Sequence, residues 1–147
     1  RVFPDGNAVP AGDDDFMVDQ ARKMYHELSP ETGEFIDFMI DHELMDLKNK
    51  PGKASTGYMT SLDRYKAPFV FSCFNQTIFD MQVLSHELGH AFAGYMAMRS
   101  QPIAAYYSES TDIAEIHSMA MEQFIRMQKN SLESRQINIV LHICRMH

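Results

Sequence analysis

His86-Glu87-Leu88-Gly89-His90 is the stretch of this chain whose residue types and spacing could do chemistry. Two histidines four positions apart share one face of an α-helix, so both imidazoles can turn toward a single ion. The glutamate next to the first histidine stands beside them, placed to take a proton from a metal-held water. Zinc suits such a pattern, since it brings its water close to a neutral pKa and polarises a carbonyl. The neighbours Val83, Leu84, Gly89, Ala91 and Phe92 are small or apolar, and a low-dielectric wall strengthens an ion's field. At this chain's own histidine and glutamate content, the pattern arises by chance in roughly 2% of such sequences. The plain alternative is two solvated histidines on a helix. A third ligand decides between them, because catalytic zinc usually takes three protein ligands and one water. Glu115 is a candidate on the next helical segment, 25 residues after His90. Composition alone does not select it over Glu109, Asp112 or Glu122.

The elements that must position these groups are mostly helical. Residues 1–13 read as an irregular lead-in with Pro4, Gly6, Pro10 and Gly12, and one of Asp13, Asp14 and Asp15 can cap the first helix. Met17, Ala21, Met24, Tyr25 and Leu28 then recur at helical spacing. Ser29-Pro30-Glu31 starts a second helix, whose apolar stripe runs through Phe35, Ile36, Met39, Ile40, Leu44 and Leu47. The breakers of 48–53 end it. Two short strands are expected near 57–62 and 68–74, as a hairpin or as neighbours. Helical patterning returns from about Phe79 to Met98 and from Glu109 to about Met127. The fold class is mainly α with a small β-hairpin or sheet element.

Length and composition bound the rest. The 147 residues make one domain. A formal charge of −7 without a basic cluster argues against nucleic acid as partner. No apolar run approaches the roughly 18 residues of a membrane span, and the start has no signal-peptide pattern. Cys73 and Cys144 make no disulfide framework, which points to a reducing cytosol, hence a cytoplasmic protein. The first residue is Arg1, so the chain is expected to be processed, cut or a fragment.

Several segments together resemble the oligoendopeptidase F branch of the thimet oligopeptidase family of zinc metallopeptidases. Val83 to Phe92 resembles that branch's active-site helix, and Ala114 to Glu122 resembles the segment with its third zinc ligand. Phe3 to Ala8, Leu28 to Gly33 and Ala67 to Ser72 are similar as well. The resemblance covers residues 1 to about 124, a partial catalytic domain. It implies a zincin-like core in which His86, His90 and Glu115 bind one Zn2+ per chain and Glu87 is the general base. It further implies a zinc-dependent endopeptidase acting on oligopeptides. The strand matching Ala67 to Phe74 runs along the family's cleft, so Phe69, Val70, Phe71 and Ser72 are expected to meet substrate by main-chain pairing. The family commonly has Asn at Cys73 and Gly at Gln76, departures at the end of that strand.

Other residues have plainer readings. His42-Glu43-Leu44-Met45-Asp46 imitates the metal motif but reads better as a solvated helix face. His117 lies about 200° around the helix from Glu115, which argues against a direct ligand. Glu122, two turns from Glu115 on the same face, can orient a zinc-binding histidine from behind or stand as a surface carboxylate. Cys73 reads as a small apolar side chain and the twelve methionines as core filler.

After about Phe124 the resemblance stops, and residues 125–147 form a tail outside the family pattern. A shifted reading frame would account for it. Back-translated with each codon begun on the last base of the one before, the tail can spell the family's continuation, and the positions that codons force agree with it. The expected partners are then an oligopeptide substrate and the missing remainder of the parent enzyme. Two rivals remain: a catalytically inactive zinc-binding fragment, and a small independent metal-binding module.

Overall fold

The computed structural model of the chain describes residues 12–107 and 110–131. The expected lead-in and most of the tail lie outside the described residues. Helix α1 (Asp14–Leu28) begins where the Asp13 carboxylate accepts a hydrogen bond from the Phe16 amide at 2.9 Å. One orphan donor of the first turn is thereby satisfied. Met17, Ala21, Met24 and Tyr25 form its buried stripe. Ser29 is extended and caps α2 (Pro30–Asp41). Its hydroxyl accepts from the Thr32 amide, and the Thr32 hydroxyl accepts from the Ser29 amide, a reciprocal box.

The helical spacing predicts α2 as far as Leu47, but the helix ends at Asp41. Glu43 takes a left-handed conformation with φ 53°, and the Leu44 amide turns back to the Met39 carbonyl at 2.9 Å. Leu44 and Leu47 are buried all the same, because the reversed chain runs back over the same core as β1 (Met45–Asp46). The imitation motif at 42–46 therefore lies on no helical face.

Strands β2 (Tyr58–Leu62) and β3 (Ala67–Phe71) pair antiparallel, with Tyr58 opposite Phe71 and Leu62 opposite Ala67. A 3-10 turn at Asp63–Tyr65 joins them. Strand β1 pairs parallel to the other edge of β3, so the expected hairpin gains a third strand and the order is β1-β3-β2.

Helix α3 (Ile78–Ser100) is started by Asp80, whose carboxylate accepts from the Thr77 amide at 2.8 Å and the Asn75 amide at 3.1 Å. Gln76 between them is left-handed, φ 57°. Met81, Leu84, Leu88, Ala91 and Tyr95 of α3 enter one core with α1, α2 and the sheet. At its centre Phe35 is fully buried, with its ring centroid 5.3 Å from that of Phe92 and 5.4 Å from that of Tyr95. Helix α4 (Thr111–Ser131) runs back antiparallel along α3, so Glu122 meets His86 and Glu115 meets His90. Among the described residues no helix is long and apolar enough to cross a membrane.

Candidate metal centre

The middle of α3 presents His86 and His90 on one face, as their spacing requires. Their Nε2 atoms lie 3.2 Å apart and the rings meet edge to face. Antiparallel packing of α4 brings Glu115 to the same point. Its Oε2 is 3.3 Å from His86 Nε2 and its Oε1 is 3.8 Å from His90 Nε2. One ligand atom from each of the three residues lies within 4.8 Å of the other two. Zinc with bonds of about 2.0–2.2 Å at tetrahedral angles holds its donors roughly 3.3–3.6 Å apart. The 3.2 Å and 3.3 Å separations and the two-imidazole, one-carboxylate donor set fit that ion, while the second Glu115 oxygen stands farther off at 3.8 Å. Asp112 does not belong to this group, and Glu109 lies outside the described residues.

Behind His86, the Glu122 Oε1 lies 2.8 Å from Nδ1. A carboxylate beside Nδ1 favours the proton there, so in the neutral ring Nε2 is the atom with the lone pair that can bind a metal. Gln82 Nε2 lies 3.4 Å from the other Glu122 oxygen. Burial depresses the pKa of His90, and the neighbouring His86 adds to that effect. A neutral imidazole with a free lone pair is the form that binds metal.

Glu87 is buried at 8% exposure. Burial raises its carboxyl above the ordinary range, with His86 opposing the shift and Glu115 reinforcing it. A raised carboxyl is the direction a proton acceptor working near neutral pH needs. Gly57, just ahead of β2, closes over it. A Cβ on Gly57 would lie 3.0 Å from Glu87 Oε1 and 3.0 Å from Val83 Cγ1. Gly57 carries no signal of this in the sequence, because its partner is 30 residues away and the contact is made by an absent side chain.

The expected substrate strand needs correction. Phe69, Val70, Phe71 and Ser72 lie on or just beyond β3, the central strand. The Val70 amide donates to Leu44 and the Ser72 amide to Asp46, each at 3.0 Å, while Phe69 and Phe71 lie opposite Thr60 and Tyr58 of β2. Both edges are occupied, so this backbone has no free row of groups for a peptide. The edge strand near α3 is β2.

Comparison with known proteins decides the family. The profile of peptidase family M3 matches residues 20–137, most of the chain and past Phe124. The chain belongs to peptidase family M3. Within that family it is similar to a PZ peptidase A solved with an inhibitor, at 52% identity and a TM-score of 0.78, over 82% of this chain and 21% of that one. It is similar also to an oligoendopeptidase F, at 53% identity and a TM-score of 0.79, over 83% and 21%. An oligoendopeptidase F from Bacillus anthracis gives 50% identity and a TM-score of 0.78, over 82% and 22%. These likenesses place the family M3 chain on the oligoendopeptidase F branch. It spans about a fifth of the length of these solved structures. No curated protein matches it.

Proposed function

We propose that this family M3 chain carries the zinc centre of a metalloendopeptidase that cleaves oligopeptides. The observation that carries the reading is the convergence of His86 Nε2, His90 Nε2 and the Glu115 carboxylate beside a buried Glu87. Zinc, when bound, supplies a Lewis acid and makes a water acidic near neutral pH. His86, His90 and Glu115 would hold the ion. Glu122 fixes the His86 tautomer that leaves Nε2 free to bind. Glu87 accepts the proton of the attacking water and hands it to the leaving amine. The outer edge of β2, from Gly57 beside Glu87 toward Ser61 beside Gly94, takes the peptide backbone. Pairing through main-chain groups tolerates varied side chains. The proposed compartment is the cytoplasm, on the cysteine usage alone.

A second reading, a zinc-binding chain that does not turn over, is favoured by one observation. Ile116, Met119 and Phe124 of α4 are all more than half exposed, in a chain that spans about a fifth of its solved relatives. The two readings separate in one experiment on the full chain, measuring zinc content and cleavage of a quenched fluorescent peptide. The first predicts about one zinc per chain and cleavage that Glu87→Gln abolishes. Zinc without cleavage selects the second, and absence of zinc overturns both.

A further inference from the structure

The ligand set explains what could hold an ion, but not why α4 stands at the right height to deliver Glu115. That height is set where the two helices cross. A Cβ on Gly89 would lie 2.7 Å from Ser118 Cα, 3.1 Å from the His117 carbonyl oxygen and 3.2 Å from Met121 Cβ. Real Cβ atoms do not approach backbone at 2.7 Å, so any side chain at 89 forces α4 away from α3. Gly89 is one residue from His90 and three from His86, while Ser118 is three residues from Glu115 and four from Glu122. The crossing point therefore lies between the groups it aligns.

Ser118 does more than be small. It is fully buried. Its hydroxyl oxygen lies 3.0 Å from Glu115 Oε2 and 3.0 Å from the Glu115 carbonyl oxygen, and its single proton has these two acceptors. The Glu115 side chain is 45% exposed, so little packing restrains its rotamers, and ordering a long acidic side chain on binding carries an entropic cost. A buried donor one turn along the same helix reduces that cost by holding one carboxylate oxygen.

We propose that Ser118 is a positioning residue for the metal ligand Glu115, seated at the α3–α4 crossing by the absence of a side chain at Gly89. The proposal rests on the metal reading above. It adds that ligand geometry depends on one hydroxyl that touches no other ligand. Loss of an outer-shell partner weakens metal binding by about 10–100-fold, and Ser118→Ala belongs near the lower end because the helix itself still presents Glu115.

The test uses the full chain with zinc and, as a spectroscopic stand-in, Co2+. Zinc affinity is measured by competition with a chelating dye for wild type, Ser118→Ala, Glu115→Ala and the double variant. Thermal melts are recorded without metal. The expected result has four parts. Ser118→Ala melts as wild type does without metal and binds zinc about tenfold more weakly. Its Co2+ absorption bands shift. In the Glu115→Ala background the same serine replacement changes the affinity no further. Gly89→Ala weakens binding more than Ser118→Ala, and should it fail to fold, the serine variants still carry the test. Wild-type affinity in Ser118→Ala overturns the proposal while leaving the metal reading intact. So does an equal effect of Ser118→Ala with and without Glu115, which marks a merely structural serine. A wild-type chain that takes no zinc overturns the metal reading itself.

Discussion

Replacing Glu122 by glutamine isolates the bond behind His86. The wild-type pair is 2.8 Å long, and its side chains are 28% and 15% exposed, so water competes little. A hydrogen bond to a charged group contributes about 1.5–3 kcal/mol, against about 0.5–1.5 kcal/mol for a neutral pair. Glutamine keeps the shape and an acceptor but loses the charge, so the expected loss is about 1–1.5 kcal/mol. That corresponds to roughly five- to thirteenfold weaker zinc binding. Glutamine can also donate to Nδ1, which would place the imidazole proton on Nε2, the atom meant for the metal. Glu122→Ala removes the partner altogether and belongs nearer the 100-fold end of about 10–100-fold. Chelator competition on the full chain measures both, with exposed Asp19→Asn as the control. Zinc affinity in Glu122→Gln within about twofold of wild type would refute the argument that this carboxylate sets the tautomer.

Three further outcomes rest on the same geometry. Gly57→Ala places a Cβ 3.0 Å from Glu87 Oε1, some tenths of an ångström inside ordinary contact. A 1 Å misplacement of a reacting group costs about 10²-fold, so kcat/KM for a peptide should fall about tenfold with zinc affinity unchanged. Gln76→Gly relieves a left-handed residue that costs an L side chain about 1–2 kcal/mol, against which stand glycine's chain entropy and the lost bond to Asp14. Urea melts should show a net gain of about 0.5–1 kcal/mol. Hydrogen bonds from His26 first and Arg22 second hold the Asp37 carboxyl below the ordinary range. With the folded value below the unfolded one, its stabilisation is complete above about pH 4–5 and is lost as pH falls through the folded value. Asp37→Asn should therefore lower stability at about pH 6 and bring it level with wild type near about pH 2.

What could be read from the sequence was local, and what could not was long-range. Asp13, Ser29 and the Met17 to Tyr25 stripe announce α1 and α2, because caps and apolar spacing act within a few residues. His86, Glu87 and His90 are legible for the same reason. Glu115 could be named only as one of several acids by spacing, and it took the resemblance to single it out. The end of α2 is hidden in the sequence because Leu44 and Leu47 satisfy helical spacing while flanking a strand, and only the left-handed Glu43 reveals the turn. Strand order was equally hidden. Nothing in Ala67 to Phe71 says that the segment is central rather than an edge, since β1 pairs with it from Met45 and Asp46, far back along the chain. The long-range roles of Gly57, Gly89 and Ser118 are illegible in the sequence because their contribution is room or a single proton, neither of which leaves a pattern along the chain.

Two imidazoles and one carboxylate converge at the proposed metal centre. Zinc K-edge absorption on the full chain loaded with one equivalent of zinc tests it most directly. The expected first shell is nitrogen and oxygen at about 2.0–2.2 Å with the scattering of two imidazoles, reduced to one imidazole in His90→Ala. A sulfur at about 2.3 Å, or a first shell unchanged in His90→Ala and Glu115→Ala, would contradict it.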